Sequence, residues 1–384
     1  MPWKRTCPMD EKMKFVAAVS TQLDSFAEVC REFGISRKSG YALMRRYEHE
    51  GAKGLLARSR APHTHPNAME EAMAEQLLQI KQRYPRLGPG KVLDRLRMQG
   101  HDTQLLPARS SVGELFKRHG LVRRRKPRAA TAPHSAPLSH AVAPNALWSV
   151  DFKGQFRLGN GRWCYPLTVS DNASRYLLVC RGMEHPTERG VWPHLELAFR
   201  EFGLPRAMRS DNGSPFASTG LAGLTRLSVW WLKLGIGLER IAPGHPEQNA
   251  RHERMHRTLR EDIEQPRHDL AAQQRRLNWF QHYYNEERPH DSLDGVPPAQ
   301  RYSCSPRPYP RRVREPEYPV GFTVRQVRHN GQIKWQGRTV FVAEALIGEP
   351  IALRQIADDY WQVWFCHLKL GLLNMRRNKI ERLD

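Results

Sequence analysis

The stretch Trp148-Ser-Val-Asp151-Phe-Lys-Gly154 places an acidic residue inside a short apolar segment that predicts a β-strand. A carboxylate within a strand is costly unless it is paired or binds a metal ion. Further segments rich in β-branched and aromatic residues follow at 163–169, 176–180, 206–209 and 237–241, and helical segments at 189–202, 246–262 and 267–284. The first three strands are close enough to form an antiparallel meander, and strands then alternate with helices. This order predicts a mixed α/β sheet.

Two more acids stand where their side chains could join Asp151. Asp211 lies in Arg209-Ser-Asp-Asn-Gly213, where a strand ends in a turn, and Glu253 lies on the helix that starts near Pro246. Asn249 shares one helical face with Glu253. Hard divalent cations such as Mg²⁺ prefer oxygen ligands, and two such ions can activate an attacking oxygen and stabilise a leaving one. Taken singly, each acid also has a purely structural interpretation: a buried hydrogen-bonding acid, a turn former and a solvated helix charge.

The surrounding motifs add information that single acids lack. They are Trp148-Ser-Val-Asp-Phe-Lys-Gly154, Asp171-Asn-Ala-Ser-Arg175, Arg209-Ser-Asp-Asn-Gly-Ser-Pro-Phe216, Pro243-Gly-His-Pro-Glu-Gln-Asn249, Glu253-Arg254, Tyr284-Asn-Glu-Glu-Arg-Pro-His290 and Pro297-Pro-Ala-Gln-Arg-Tyr302. From about 148 to 302 the chain thereby resembles the integrase-like (DDE) transposases of bacterial insertion sequences, which are related to retroviral integrases and share the RNase H-like fold. One departure is Ala250, since the family usually has Gly after the Asn; alanine favours a helix there.

The resemblance implies a function and a set of site residues. It makes Asp151, Asp211 and Glu253 the catalytic, metal-binding triad, with two Mg²⁺ ions per site that Mn²⁺ can replace. It implies a polynucleotidyl transferase that hydrolyses a phosphodiester at an element end and then performs strand transfer. Asn249 is expected to position substrate, and Arg254 and Arg257 to bind phosphate. The partners implied are double-stranded DNA, both element ends and target, and other copies of the chain in at least a dimer.

The amino-terminal region predicts a helix-turn-helix. A helix at 26–33 ends at Gly34, and Ser36 is placed to cap a basic second helix, as in domains whose second helix enters the major groove. The expected DNA contacts there are Arg37, Lys38, Arg45 and Arg46. A second helical region at 67–122 is either another DNA-binding module or a helical spacer. Basic residues that follow it are further expected DNA contacts: Arg123, Arg124, Arg125 and Lys126.

These patterns predict six segments. They are a helix-turn-helix domain (1–60), a second helical domain (61–125), a linker (126–144), an RNase H-like integrase core (145–302), a Pro/Arg-rich linker (303–319) and a small β-rich domain (320–384). The fold class is therefore α/β, with an all-α amino-terminal region. Asp171 is expected to lie in a turn outside the metal site.

The bulk composition indicates a polyanionic partner. The formal net charge is +22, from 61 Lys and Arg against 39 Asp and Glu, and such an excess is typical of nucleic-acid binding. No apolar run reaches the roughly 18 residues needed to span a membrane. The six cysteines include no close pair, and the first ten residues contain no apolar signal core, so we expect a cytoplasmic bacterial protein that is nucleoid-associated when it binds DNA.

Two other functions are compatible with parts of the sequence. His252-Glu253-Arg254-Met255-His256 matches the H-E-x-x-H zinc metalloprotease signature, in which two histidines on one helical face bind zinc. Arginines surround this helix, and the glycine and third histidine of the extended signature are absent, although Glu286 could supply a third ligand. The other possibility is a DNA-binding regulator whose core is catalytically idle. The presence of all three acids argues against it.

Overall fold

The computed structural model describes residues 7–57, 68–122, 141–242, 246–262 and 265–382. The chain divides into two compact units, Met1–Glu70 and Glu71–Asp384. The expected DNA contacts at 123–126, and most of the predicted linker at 126–144, lie outside the described residues. No helix in the described part of the chain is both long and apolar enough to cross a membrane.

The first unit contains the predicted helix-turn-helix. Its helices are α1 (Pro8–Thr21), α2 (Phe26–Glu32) and α3 (Arg37–Glu50). Ser25 and Glu28 form a capping box at the start of α2, and the Ser36 hydroxyl accepts a hydrogen bond from the Ser39 N–H at the start of α3. Gly34, with φ of +64°, makes the turn between them in a conformation that favours glycine.

Three helices open the second unit: α4 (Glu71–Arg83), α5 (Pro89–Met98) and α6 (Arg109–Arg118). They pack on one another through Leu77, Val92, Leu96 and Phe116, all of which are almost fully buried. The same helices are joined to a later part of the unit by hydrogen bonds to the carboxylate of Glu287. The Tyr84 hydroxyl donates a hydrogen bond to Glu287 Oε2 (2.6 Å), and the Arg95 guanidinium binds the same oxygen (2.9 Å).

The central sheet contains β1 (Leu147–Phe152), β2 (Phe156–Arg157), β3 (Trp163–Asp171), β4 (Leu177–Met183), β5 (Ala207–Ser210) and β6 (Gly237–Arg240). β3 pairs antiparallel with β1, β2 and β4, which confirms the predicted meander. β5 is parallel to β1, and β6 is parallel to β5. The sheet is therefore mixed, as the alternation of strands and helices predicted.

Helices cover this sheet: α7 (Glu188–Phe202), α8 (Arg226–Lys233), α9 (Ala250–Asp262) and α10 (Leu270–His282). A 3₁₀ turn, Pro246–Asn249, precedes α9, and a π-helical turn, Tyr283–Glu287, continues α10. The main core joins sheet residues such as Trp148 and Val169 to Phe199 on α7 and Trp231 on α8. The sequence patterns did not predict α8, which is only eight residues long and so offers about two turns of helical periodicity.

The predicted linker at 303–319 lies along the core. The Arg307 guanidinium donates hydrogen bonds to the carbonyls of Pro205, Leu234 and Gly235, and Tyr309 contacts Trp230 edge to face. Beyond this segment the predicted β-rich domain is confirmed. It contains β7 (Thr323–Gln326), β8 (Gln332–Trp335), β9 (Arg338–Phe341), β10 (Pro350–Ala357), β11 (Tyr360–Phe365), β12 (Leu368–Asn374) and β13 (Lys379–Glu381). Five of these strands form an antiparallel sheet, while β8 and β9 form a hairpin.

Candidate active site

Asp151 and Asp211 come from neighbouring parallel strands in matching register. Ser149 on β1 is opposite Arg209 on β5, so continuing the register by two residues brings Asp211 beside Asp151. Adjacent strands are about 4.8 Å apart, which brings two carboxylates from such positions within mutual reach. The Asp211 carboxylate accepts a hydrogen bond from the Gly213 N–H (3.1 Å). A Cβ at position 213 would lie 3.0 Å from Asp211 Oδ2, so glycine keeps space open beside this oxygen.

The electrostatics of Asp151 are affected by both of the other predicted acids. Burial raises the pKa of the Asp151 carboxyl to about 7, and repulsion from Asp211 and from Glu253 adds to this effect. The backbone hydrogen bond from Phe152 and the charge of Lys153 oppose it and are outweighed. Both other acids are thus near enough for their charge to be felt at Asp151. Asp151 therefore ionises less readily in the presence of these two carboxylates.

Glu253 is positioned by the packing of its helix. Met255 and Leu259 of α9 are buried against Leu177 and Cys180 of β4 and against α10. The start of the helix is tied to the sheet, because Arg209 Nη1 donates a hydrogen bond to the Gln248 carbonyl (2.8 Å). Glu253 itself is exposed. α9 begins at Ala250, in agreement with the expectation that alanine is compatible with a helix at this position.

Beneath Glu253, two histidines of α9 face the sheet and form a buried polar network with β3. The Thr168 hydroxyl lies 2.8 Å from His252 Nε2, 2.7 Å from His256 Nε2 and 3.0 Å from the Asp151 carbonyl oxygen. The Ser170 hydroxyl lies 2.7 Å from His252 Nδ1. All four side chains are at least nine-tenths buried.

Hydrogen-bond chemistry fixes the protons of this network. A hydroxyl has one proton to donate, and the Asp151 carbonyl can only accept. Thr168 therefore donates to Asp151, and both histidines donate to Thr168 through Nε2–H. His252 Nδ1 then accepts from Ser170, while His256 Nδ1 keeps a lone pair 3.8 Å from Asp151 Oδ2. Both rings are neutral, because burial lowers the pKa of His252 to about 3 and lowers that of His256 further.

This network affects whether the two histidines of the H-E-x-x-H signature are available to bind zinc. Ligand atoms of Asp151, His252 and His256 lie within 4.8 Å of one another, so by distance alone they could hold a metal ion. His252, however, uses both ring nitrogens in hydrogen bonds to β3, whereas a zinc helix needs both of its histidines as ligands. In the signature the two histidines are four residues apart, and on a helix this spacing places both rings on the same face, which here is buried. The sequence could not show that this face meets two hydroxyls of β3.

Two buried polar residues near the triad, Asp171 and Asn249, differ in how completely their side-chain oxygens are hydrogen-bonded. Asp171 is buried and accepts hydrogen bonds from the Asn145, Ala173 and Ser174 N–H groups and from the Ser174 hydroxyl. It is the last residue of β3 and binds the N–H groups of the turn that follows, so it lies at the strand end and not in the turn itself. Asn249 is also buried, but its Oδ1 has no hydrogen-bond partner among the described residues.

The residues predicted to contact DNA differ in their surroundings. Arg254 and Arg257 are exposed on α9 and line a large cavity. On α3 the predicted contacts Arg37, Lys38 and Arg45 are exposed, whereas Arg46 is half-buried and donates a hydrogen bond to the Leu56 carbonyl (2.7 Å). Arg46 therefore has a contact within its own domain, which the sequence did not indicate.

Known families match four segments of the chain. An integrase core domain matches residues 141–246, and a second integrase core domain model matches 234–298. A helix-turn-helix domain matches 11–63, and the IS481 family transposase C-terminal domain matches 322–381. Together these confirm the predicted order of a helix-turn-helix, an integrase core and a carboxy-terminal domain.

Curated relatives include two insertion-element proteins. An uncharacterised 31.7 kDa protein of insertion element IS407 from Burkholderia multivorans is 28% identical over 241 residues, which cover 61% of this chain and 82% of that protein. A 39.2 kDa protein of IS476 from Xanthomonas euvesicatoria is 29% identical over 240 residues, covering 61% of this chain and 66% of that protein. A Gag-Pol polyprotein of Rous sarcoma virus is 30% identical over 141 residues, covering 35% of this chain and only 8% of the polyprotein.

Among solved structures, a magnesium complex of the HTLV-2 integrase catalytic core domain is 14% identical with a TM-score of 0.32, covering 42% of this chain and 99% of that one. A simian T-cell lymphotropic virus intasome has a TM-score of 0.35 at 15% identity, covering 72% of this chain and 97% of that one.

Proposed function

We propose that this chain is an integrase-like transposase of a bacterial insertion sequence, which binds the ends of such an element and catalyses both phosphodiester hydrolysis and strand transfer. The catalytic residues in this proposal are Asp151, Asp211 and Glu253. The observation that supports it most is the parallel register of β1 and β5, which when continued brings Asp211 beside Asp151. The pKa of Asp151, raised first by burial and then by the charges of Asp211 and Glu253, agrees with this arrangement. Carboxylates crowded in this way are typical of functional sites.

The donor set suits a hard divalent cation. Three carboxylates supply the oxygen ligands that Mg²⁺ and Mn²⁺ prefer, and a bound cation would relieve the repulsion among them. We assign two Mg²⁺ ions to the site, with Mn²⁺ as a substitute. Bound there, such ions supply Lewis-acid activation of an attacking oxygen and stabilisation of a leaving one. The neutral imidazoles of His252 and His256 add no positive charge to the site.

The reaction has two displacements at phosphorus. In the first, water attacks the phosphodiester at an element end, the P–O3′ bond breaks, and a free 3′-OH results. In the second, that 3′-OH attacks a target phosphodiester and displaces its 3′ oxygen, so one bond forms as another breaks and no external energy source is needed. No side chain has to form a covalent intermediate. The side chains hold and orient the DNA and keep the reacting oxygens in line.

Other residues of the chain hold the substrate. Asn249, with its unpaired buried Oδ1, is placed to accept a hydrogen bond from a substrate group or a bound water near Glu253. Arg254 and Arg257, exposed on the helix that carries Glu253, neutralise phosphates. On α3, the exposed Arg37, Lys38 and Arg45 contact the element end. Synapsis of two ends requires at least a dimer on double-stranded DNA, and we place this activity at the bacterial nucleoid.

The test is strand cleavage and joining on labelled DNA that carries the terminal repeats flanking the coding region, with Mg²⁺ or Mn²⁺. We expect the wild type to join strands and Asp151→Asn, Asp211→Asn and Glu253→Gln each to abolish joining while still binding DNA. Glu184→Gln, which removes an exposed carboxylate paired with Arg162, is the matched control and should keep full activity. If wild type and Asp151→Asn bind the repeats equally and neither joins strands, the chain is a regulator. Peptide cleavage that a zinc chelator stops would identify a protease.

A further inference from the structure

A cavity of about 1030 Å³ opens between the three-helix region α4–α6 and helices α9 and α10. We propose that this cleft binds the phosphate backbone of one DNA strand that extends from the active site, an inference that rests on the proposed function. It gives α4–α6 a role that the sequence left open between a separate DNA-binding module and a spacer. In this proposal α4–α6 is one wall of a strand-binding cleft whose other wall belongs to the catalytic core.

The lining of the cleft is strongly basic on both walls. The α4–α6 wall contributes four cations: Arg83, Arg86, Lys91 and Arg109. The wall from the core contributes four more: Arg254, Arg257, Arg276 and Arg288. Among the described residues only two acids line the same space, and each is loosely paired, Glu261 with Arg86 (3.9 Å) and Asp291 with Lys91 (3.7 Å). The excess of cations matches a polyanion and does not suit a neutral or cationic ligand.

The charges in the cleft are crowded as well as numerous. Burial lowers the pKa of Lys91 to about 8, and repulsion from Arg288 and Arg254 adds to this effect, while Asp291 and Asp94 oppose it. The repulsion between Lys91 and these arginines acts across the cleft, because Lys91 belongs to α5 while Arg254 and Arg288 belong to the core. A phosphate between the two walls would relieve the repulsion. The geometry and the charge thus favour the same ligand chemistry.

The cleft is pre-formed, because a ladder of stacked rings joins its walls. Trp279 and Tyr283 of the core stack with centroids 5.2 Å apart, and Tyr283 stacks on Tyr84 of the helical region at 5.5 Å. Guanidinium groups cover the two ends of the ladder, Arg276 on Trp279 and Arg95 on Tyr84, each 4.0 Å from the ring centroid. Since the walls are already fixed, binding a strand costs little additional ordering of the protein.

The cleft continues from the active site along α9. Arg254 follows Glu253 directly, and Arg257 lies one turn further along the same face as Glu253, about 6 Å along the helix axis. A strand with a phosphate at Glu253 therefore meets these arginines next and then the α4–α6 wall. The cleft volume is of the size that encloses one extended ligand, whereas a duplex groove-binding surface is open and wide. For this reason we assign the cleft to a single strand.

The experiment compares two triple variants that remove equal charge from α4–α6. The cleft variant is Arg83→Gln, Lys91→Gln and Arg109→Gln; the control variant is Arg97→Gln, Lys117→Gln and Arg118→Gln, none of which lines the cleft. Both are made in the Asp151→Asn background, and binding is measured in EDTA, so the result does not depend on catalysis. The probe is a fluorescein-labelled duplex with a single-stranded extension, whose affinity is followed as the salt concentration rises. A thermal melt and a circular dichroism spectrum of each variant check that both are folded.

Each phosphate that the protein no longer neutralises makes the slope of log K against log salt shallower by about 0.7 for a single strand. Three substitutions should therefore make the slope of the cleft variant shallower by about 2, while the control variant keeps the slope of the Asp151→Asn parent. The same comparison on a blunt duplex should show a smaller difference. Equal slopes for the two folded triple variants, or an equal change on blunt and extended DNA, would overturn the proposal. Failure of the proposed function shows itself separately, as absence of strand joining by the wild type.

Discussion

Replacing Asp151 with Asn should stabilise the metal-free protein while it abolishes activity. Burial and the charges of Asp211 and Glu253 raise the pKa of Asp151 from 3.8 to about 7, a difference that corresponds to about 4 kcal/mol. This is the free energy lost when the carboxyl ionises in the folded protein relative to the unfolded chain. Asparagine has similar shape and no charge. We therefore expect Asp151→Asn to raise the free energy of unfolding by roughly 2–4 kcal/mol at pH 8.

The sign and the pH window follow from the direction of the shift. The folded-state pKa of Asp151 lies above its unfolded value, so the stability contributed by the protonated carboxyl is complete below pH 3.8. It is lost as the pH rises through about 7. The advantage of the Asn variant should accordingly grow between pH 5 and pH 8 by roughly 2–3 kcal/mol, and should change little above pH 8.

Urea denaturation in EDTA at pH 5 and pH 8 measures this difference, with Glu184→Gln as the control for removing an exposed carboxylate. Repeating the pH 8 measurement with Mn²⁺ tests the second half of the reasoning. Ion binding at about one hundred times its dissociation constant should stabilise the wild type by about 2.7 kcal/mol and leave Asp151→Asn unchanged. An Asn variant no more stable than the wild type in EDTA at pH 8 would refute the placement of the Asp151 carboxylate in a buried site next to two other carboxylates.

Three further changes test other parts of the structure. Thr168→Val leaves two buried imidazole N–H groups and the Asp151 carbonyl without partners, so we expect a loss of about 2–4 kcal/mol by urea denaturation, against almost none for the exposed Thr339→Val. Glu287→Gln weakens the charge-assisted bonds to Arg95 and Tyr84, and should speed hydrogen exchange of α4 and α5 by roughly tenfold while Glu286→Gln, which changes an exposed acid, leaves it unaltered. Arg45→Ala should weaken binding to the terminal repeat by about 1–3 kcal/mol if the side chain reads a base, and equal weakening on unrelated DNA would show that it contacts only phosphate.

The sequence by itself determined the elements and their order. Apolar alternation and β-branched residues predicted the strands around Asp151, and the Gly34 turn with the Ser36 cap predicted the helix-turn-helix, because these signals depend on residues close together in the chain. Helix α8 was not predicted because its eight residues, Arg226–Lys233, are fewer than the roughly 11 over which helical periodicity becomes recognisable. The triad of Asp151, Asp211 and Glu253 was predicted from the motifs around these residues, because each acid taken singly also fitted a purely structural role.

Only the tertiary structure decided what surrounds those acids. Thr168 contacts His252 and His256, which are 84 and 88 residues away in the sequence. Arg95 contacts Glu287, which is 192 residues away. No local sequence pattern predicts contacts over such separations. The same holds for the pKa of Asp151, which depends on how deeply β1 is buried and on charges brought from β5 and α9. Local propensities fix which element a residue occupies. The burial, proton positions and charge of a site depend on which elements then pack against it, and that is set by the whole chain.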